Sequence, residues 1–378
     1  MQTVIVEDLI TMLTPMFSGI VCIVLILLDS PVWIRLKGSG IRCTLLTYYL
    51  LIVFNWGVMI TYAFYPNRFT DLSAWVAFTM LLVPVTLYRF IFILTRANSA
   101  ERFSWLHYVL PTVVLGINLA WLFLAPEGAA GRVSIENMHT TPGYEGFYLL
   151  ASLLLVFRLC FGIGYTLLGI RRYRSYRRLI INYSSDLYLS SLYWLRLFLI
   201  LSVCFVIIPL LIMAAPLKDL LGTYQLVLVA LILFVQHIIL CFNVIRGNYI
   251  FITDQQNLHD EAIRAAEKEQ QLKQETFSRY IEQQKPYLDP HLTIVDMADA
   301  LCTNRTYLSA FINNTYKMNF SQFVNECRLY ELDRIIANPR CLEKTNIEKI
   351  TAAGFGSYQS YHRAHRMHEE RKRLKVSD

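Results

Sequence analysis

Charge is scarce over most of this chain. Only 17% of its 378 residues are Asp, Glu, Lys or Arg, and these crowd towards the C-terminal third. The apolar set makes up 55% of the residues, which is too greasy for an ordinary soluble protein of this length. The signatures of catalysis are missing too. The sequence has no phosphate-binding glycine loop, no His-Glu-x-x-His, no kinase-like histidine box and no supported Ser-His-Asp set. It is therefore not expected to be an enzyme. The cysteines at 22, 43, 160, 204, 241, 302, 327 and 341 have no metal-ligand spacing, and none falls in an expected external loop. That pattern argues against structural zinc and structural disulfides. His362, His365 and His368 are spaced by three but lack a convincing cysteine or carboxylate partner. They read better as a basic helix face near phosphates than as a metal site. No metal and no cofactor are expected.

Long apolar runs are what the chain does have. The first, 9–28, is long enough to span a bilayer. It follows Glu7 and Asp8 rather than basic residues and ends in Asp29, Ser30 and Pro31, so it reads as a retained span rather than a signal peptide. Further runs at 45–64, 72–94, 106–125, 146–170, 195–215 and 224–244 bring the expected spans to seven. Loops after the first, third and fifth carry Arg35, Lys37, Arg42, Arg96, Arg102, Arg171, Arg172, Arg174, Arg177 and Arg178. The opposite loops carry only Arg68, Arg132 and Lys218. The positive-inside rule then sets the N-terminus outside and, after an odd number of crossings, the C-terminus in the cytoplasm.

A few polar residues lie within these runs. Arg158 sits near the middle of the fifth, where a charge costs about 2.5–3.5 kcal/mol or more and must face protein or a cavity. With no acidic residue at that depth to pair with it, Arg158 either locks the bundle through carbonyl contacts or helps form a ligand pocket. Asn55, Asn118, Gln236 and His237 are the other candidates for such a pocket, whose small ligand is unknown. Arg89 lies nearer the inner surface and can snorkel there. Pro84 and Pro209 can kink their helices.

A polar segment, 251–284, follows the last run. It is rich in Glu, Gln and Ala and reads as a helical linker. Leu258, Ala262, Ala265, Glu269 and Leu272 form a weak coiled-coil seam, which suits either a signalling helix that pairs two copies or a solvated spacer.

Residues 285–378 change character again. Ile294, Met297, Ala298 and Leu301 share one helical face, and Thr293 with Asp296 makes a capping-box pattern. After a short break, Leu308, Phe311 and Ile312 point a second helix inward, leaving Arg305, Thr306, Ser309 and Asn313 on its polar face. The arrangement recurs. Thr345 and Glu348 precede Ile347, Ile350 and Ala353; Gly354 suits a turn of positive φ; Ser357 can cap a helix bearing Gln359, Ser360, Arg363 and Arg366. Two such units about fifty residues apart suit two successive major-groove contacts on double-stranded DNA. Arg305, Thr306, Ser309, Asn313, Gln359 and Ser360 are the candidate base contacts. Arg363, Arg366, Arg371, Lys372, Arg373 and Lys375 are the candidate phosphate contacts.

Specific segments sharpen this reading: Lys285, Pro286, Tyr287 and Leu288; Asn304 through Ser309; Asn319 and Phe320; Arg328; and Ala353, Gly354 and Phe355. Over 276–367 the chain resembles the AraC/XylS-type DNA-binding domain, in the version common in Bacteroidetes regulators. Tyr361, Arg363 and His365 stand where that family alternates phenylalanine, arginine and phenylalanine, and Lys317 stands where it often has glycine. Together with the seven apolar runs and their loop charges, the resemblance implies an all-α protein, with a seven-helix transmembrane bundle (1–250), a helical linker (251–284) and a cytoplasmic AraC-type double helix-turn-helix domain with a basic tail (285–378). It implies a one-component transcriptional regulator in the bacterial inner membrane, binding DNA, the bilayer and a small ligand, with homodimerisation through the linker and on DNA. The rival readings are a transporter, to which the lack of an internal repeat between halves is unfavourable, and a passive anchor for a constitutive reader.

Overall fold

The computed structural model describes residues 6–29, 39–65, 69–96, 101–124, 145–186, 192–214, 218–249, 274–339 and 345–377. Among these the fold is all-α, as expected. The only extended pairing among them is an isolated antiparallel bridge between Ser184 and Thr293. The chain divides into two compact units. The first comprises Met1–Thr95, Arg102–Tyr173 and Trp194–Asn248; the second comprises Arg96–Glu101, Arg174–Tyr193 and Tyr249–Asp378. The second unit is thus discontinuous in sequence, which the boundary expected at residue 250 did not anticipate.

In the first unit the helices are α1 (Val6–Leu28), α2 (Ser39–Phe64), α3 (Phe69–Leu94), α4 (Leu106–Leu124), α5 (Glu145–Ile180), α6 (Tyr193–Ala214) and α7 (Lys218–Ile245). α1 packs on α2 and α7, α2 on α3, and α3 on α4. Close packing of α1 on α2 depends on Gly19, where an added Cβ would lie 3.0 Å from Val53 Cγ2. On the other side of α1, Phe17, Val21, Leu25 and Leu28 form an exposed apolar stripe at helical spacing. Such a stripe needs a nonaqueous partner, and a bilayer supplies one.

Seven helices are present among the described residues of the first unit, but not seven that qualify as membrane spans. Among the described residues, four helices are long and apolar enough to cross: Leu9–Leu28, Gly40–Phe64, Leu72–Leu94 and Val227–Ile245. This overturns the expected seven-helix transmembrane bundle. Among the described residues, α4 and α6 contribute the shorter apolar stretches Leu106–Ala120 and Tyr193–Phe205. α5 is interrupted by Arg158 and ends in a basic run from Arg171 to Arg178. Counting crossings therefore no longer fixes the side on which the C-terminus lies.

The second unit holds α8 (Gln274–Gln284), a 3-10 turn (Pro286–Leu288), α9 (Ile294–Ala300), α10 (Arg305–Tyr316), α11 (Phe320–Ala337), α12 (Asn346–Ala352) and α13 (Tyr358–Ser377). The linker residues Leu258, Ala262, Ala265, Glu269 and Leu272 lie outside the described residues. α8 docks through Phe277, which is fully buried against the rings of Phe311, Tyr316 and Phe323. Caps start these helices, those at Thr293 and Thr345 where the sequence placed them and those at Asn304 and Asn319 in addition. Thr293 and Asp296 form a reciprocal capping box for α9, Asn319 and Gln322 one for α11, and Thr345 and Glu348 one for α12. Asn304 caps α10 by accepting from the Tyr307 N–H at 2.7 Å. A second core joins α11, α12 and α13 through Leu329, Leu332, Ile350, Ala353, Phe355 and Ala364. Gly354, at φ 94°, makes the turn between α12 and α13 against the Tyr287 carbonyl.

Candidate nucleic-acid interface

The inward face of α10 is carried by Leu308 and Ile312, both fully buried. A helix turns 100° per residue, so Thr306, Ser309 and Asn313 are carried away from that core. Thr306 and Asn313 are exposed, while Arg305 and Ser309 are half-buried. This is a short helix that presents hydroxyl, amide and guanidinium groups from a rigid base. Such groups can hydrogen-bond to base edges or phosphates.

α13 departs from expectation at several positions. Gln359 is exposed, but Ser360 is buried: its hydroxyl donates to Asp186 Oδ1 at 3.1 Å and it bonds Ser357 through its N–H. Ser360 is therefore not free to contact a base, and its role is internal. Arg363 stacks its guanidinium 3.9 Å from the centroid of the Tyr193 ring, so it too is engaged within the unit. Arg371 donates to the Lys317 carbonyl at 2.6 Å, tying α13 to the end of α10. Arg366 is exposed and pairs loosely with Glu370 at 3.6 Å. Lys372 and Arg373 are exposed, and the Lys375 side chain lies outside the described residues. Arg366, Lys372 and Arg373 thus keep the properties of phosphate contacts. His368 bonds Glu326 at 2.6 Å, so it belongs to the α11–α13 contact and not to a histidine cluster.

The centre of the unit is Arg328, whose importance the sequence did not explain. Its side chain is 1% exposed. Nε donates to the Tyr287 carbonyl at 2.7 Å, and Nη2 donates to the Asp289 carbonyl at 2.6 Å and to Ser185 Oγ at 2.9 Å. The guanidinium also lies 5.8 Å from the Phe355 ring centroid. Burial pulls its pKa down to about 10, partly offset by the negative charges of Asp186 and Asp289. Near it, Glu331 accepts from Lys285 Nζ at 2.9 Å and from the Tyr287 hydroxyl at 3.2 Å. Burial raises the Glu331 carboxyl, but Lys285, Arg334 and the Tyr287 hydroxyl together hold it below the usual glutamate range. Burial and the Glu331 charge push the Tyr287 hydroxyl up to about 12. Both recognition candidates, α10 and α13, thus stand on one hydrogen-bonded scaffold.

The polar residues of the first unit each bond a different partner. Arg158 donates to Met80 Sδ at 2.8 Å. Asn55 donates to the Leu51 carbonyl and accepts from the Thr79 hydroxyl, joining α2 to α3. Asn118 bonds back to the Val114 carbonyl. Gln236 donates to Ser202 Oγ at 3.0 Å, joining α7 to α6. His237 bonds Ser18 Oγ at 2.8 Å, joining α7 to α1, with Tyr48 and Tyr49 packed edge-on to its ring. Each of these groups is tied within its own helix or at its own helix–helix seam, as structural polar residues in apolar bundles are. Arg89 reaches the Tyr108 hydroxyl and lies 6.0 Å from the Phe103 ring centroid.

Comparison with protein-family models, curated proteins and solved structures finds no match for the chain. The AraC/XylS-type resemblance over 276–367 is therefore not upheld. Short motifs such as capping boxes and a buried arginine recur wherever small helices pack, and here they identify local structure, not descent.

Proposed function

We propose that the protein is a membrane-embedded, non-enzymatic DNA-binding regulator. Its first unit is held in the bilayer by apolar helices, and its second unit meets double-stranded DNA. The observation that carries this reading is the exposed polar face of α10, set on a fully buried apolar face and supported by a basic, exposed stretch of α13. Arg305, Thr306, Ser309 and Asn313 address bases; Arg366, Lys372 and Arg373 address phosphates, with Gln359 at the edge. Charge supports a cytoplasmic second unit. A compact unit cannot be divided by a bilayer, so 96–101, 174–193 and the C-terminal helices share one face. That face carries Arg96, Arg174, Arg177 and Arg178, the side that the positive-inside rule assigns to the cytoplasm. The test is genome-wide DNA occupancy of the full chain kept in its native membrane. Discrete, reproducible sites support the reading. Occupancy with no sequence preference transfers weight to a membrane protein whose second unit binds something else.

A further inference from the structure

The residues that follow α5 belong structurally to the C-terminal helices. Ser184, Ser185 and Asp186 are 1%, 1% and 5% exposed, although they lie in a connecting segment. The Ser185 N–H and hydroxyl both donate to the Leu292 carbonyl, at 3.3 and 2.8 Å, and the Ile294 N–H donates to the Tyr183 carbonyl at 3.0 Å. These bonds fix the segment to the cap of α9. Ser185 also receives Arg328 at its hydroxyl, and its carbonyl receives Asn325 at 3.1 Å, both from the middle of α11. Asp186 receives the Ser360 hydroxyl from the first turn of α13. Four consecutive residues therefore touch three helices, including the one that leads into α10 and the one proposed to lie along phosphates.

We propose that 183–186 is the input through which α5 acts on the second unit, setting the relative pose of α9–α10 and α13. This rests on the DNA-binding reading for what that pose controls, while the mechanical claim stands separately. α5 runs as one helix from Glu145 to Ile180, and only residues beyond Tyr173 belong to the second unit. A rigid helix carries a rotation or shift along its length. The segment at its end cannot follow that movement without drawing on Thr293, Arg328 and Ser360 together. Leaving the segment behind would strand buried donors, including the Arg328 guanidinium, so movement of the helices is the less costly response. Coupling in this form is a two-state element that both sides bias, and it requires no ligand contact with the reading helices.

The experiment uses the full chain in lipid nanodiscs, with one, two, three or four alanines inserted after Arg174. Each alanine turns the downstream end of α5 by about 100°, so three or four come close to a full turn. Backbone amide exchange is followed by mass spectrometry in 292–301, 321–332 and 357–366. The expected result is faster exchange in all three stretches with one or two alanines and recovery towards wild type with three or four. Equal exchange in all insertion variants, or an equal rise in all, overturns the proposal. A gentler variant guards against misfolding. Asp186→Ala removes the acceptor for Ser360 together with one of the negative charges near Arg328, and should speed exchange in the first turn of α13 by at least about fivefold, the effect of losing one hydrogen bond. An unchanged rate there also overturns it. Retention on DNA fragments is recorded in parallel. If the wild-type chain binds no DNA, the functional reading fails while the exchange pattern still decides the coupling.

Discussion

Arg328 and Ser185 are 143 positions apart, yet Arg328 Nη2 donates to Ser185 Oγ at 2.9 Å in a site closed to solvent. The same hydroxyl passes its own proton to the Leu292 carbonyl, so one serine joins a connecting segment, α11 and the cap of α9. Arg328→Met keeps much of the length and removes the donors, leaving the Tyr287 and Asp289 carbonyls and Ser185 without them. At about 1–3 kcal/mol per stranded buried group, the second unit should lose about 3–5 kcal/mol. Pulse proteolysis across a denaturant series, reading cleavage within α11 and α13 of the full chain, measures this. An unmoved midpoint would show that Arg328 is incidental to the scaffold.

Gly354 and Gly356 make an internal comparison. At Gly354 the φ is 94°, and an added Cβ would collide with the Tyr287 carbonyl oxygen and lie 2.8 Å from Leu288 Cα. Gly354→Ala should cost about 2–4 kcal/mol from backbone strain and displacement of the Pro286–Leu288 turn. At Gly356 the nearest contact is Pro290 Cβ at 3.3 Å, a flexible-edge contact, so Gly356→Ala should stay within about 1 kcal/mol of wild type. The same proteolysis midpoint reads both, and equal losses would contradict the assignment of the strained turn to Gly354.

The Lys285–Glu331 pair gives a pH dependence of known sign. The folded-state pKa of Glu331 is held below its ordinary value, so its contribution is complete above the unfolded pKa and disappears as pH falls through the folded one. Lys285→Met should therefore weaken the second unit at neutral pH, and the gap from wild type should narrow as pH drops below the usual glutamate value of about 4.3. Unfolding midpoints of both chains between neutral and acid pH provide the check. A gap that stays constant would mean that Lys285 acts through packing alone.

The membership of 174–193 in the second unit makes a statement about sidedness. A compartment-sensitive reporter inserted within 187–191 and one fused after Asp378 should report the same compartment, the cytoplasm. Opposite readings would break the second unit as described and place the C-terminal helices away from DNA.

What was legible in the sequence was local. The capping boxes at Thr293 and Thr345 depend on residues three apart, and Leu308 and Ile312 mark an inward face by spacing alone. What was not legible was either long-range or a matter of length. Nothing near Ser185 announces Arg328 as its partner, and Ser360 looked like one more polar residue on a DNA-facing helix until Asp186 was found against it. The seven apolar runs were real as helices. Hydrophobic composition did not show that α5 spends its last turns in the second unit. Arg158, Asn55, Asn118, Gln236 and His237 were grouped because polar residues are rare in apolar helices. Their hydrogen-bond partners, such as Met80, Thr79, Ser202 and Ser18, carry no local signal in the sequence.

The central claim is that α10 reads sequence, with α13 holding phosphate. The direct test titrates the full chain in nanodiscs, as wild type, Arg305→Ala and a combined Lys372→Ala, Arg373→Ala variant. The DNA series carries single-base substitutions in the strongest genomic site, measured at two salt concentrations. Arg305→Ala should flatten the preference at one or two base pairs by about 1–3 kcal/mol. The combined variant should weaken binding almost equally for every sequence and lower the salt slope by about two. If Arg305→Ala instead weakens every sequence equally, or if the wild-type chain itself shows no preference across the series, the account of α10 as a reading helix is contradicted.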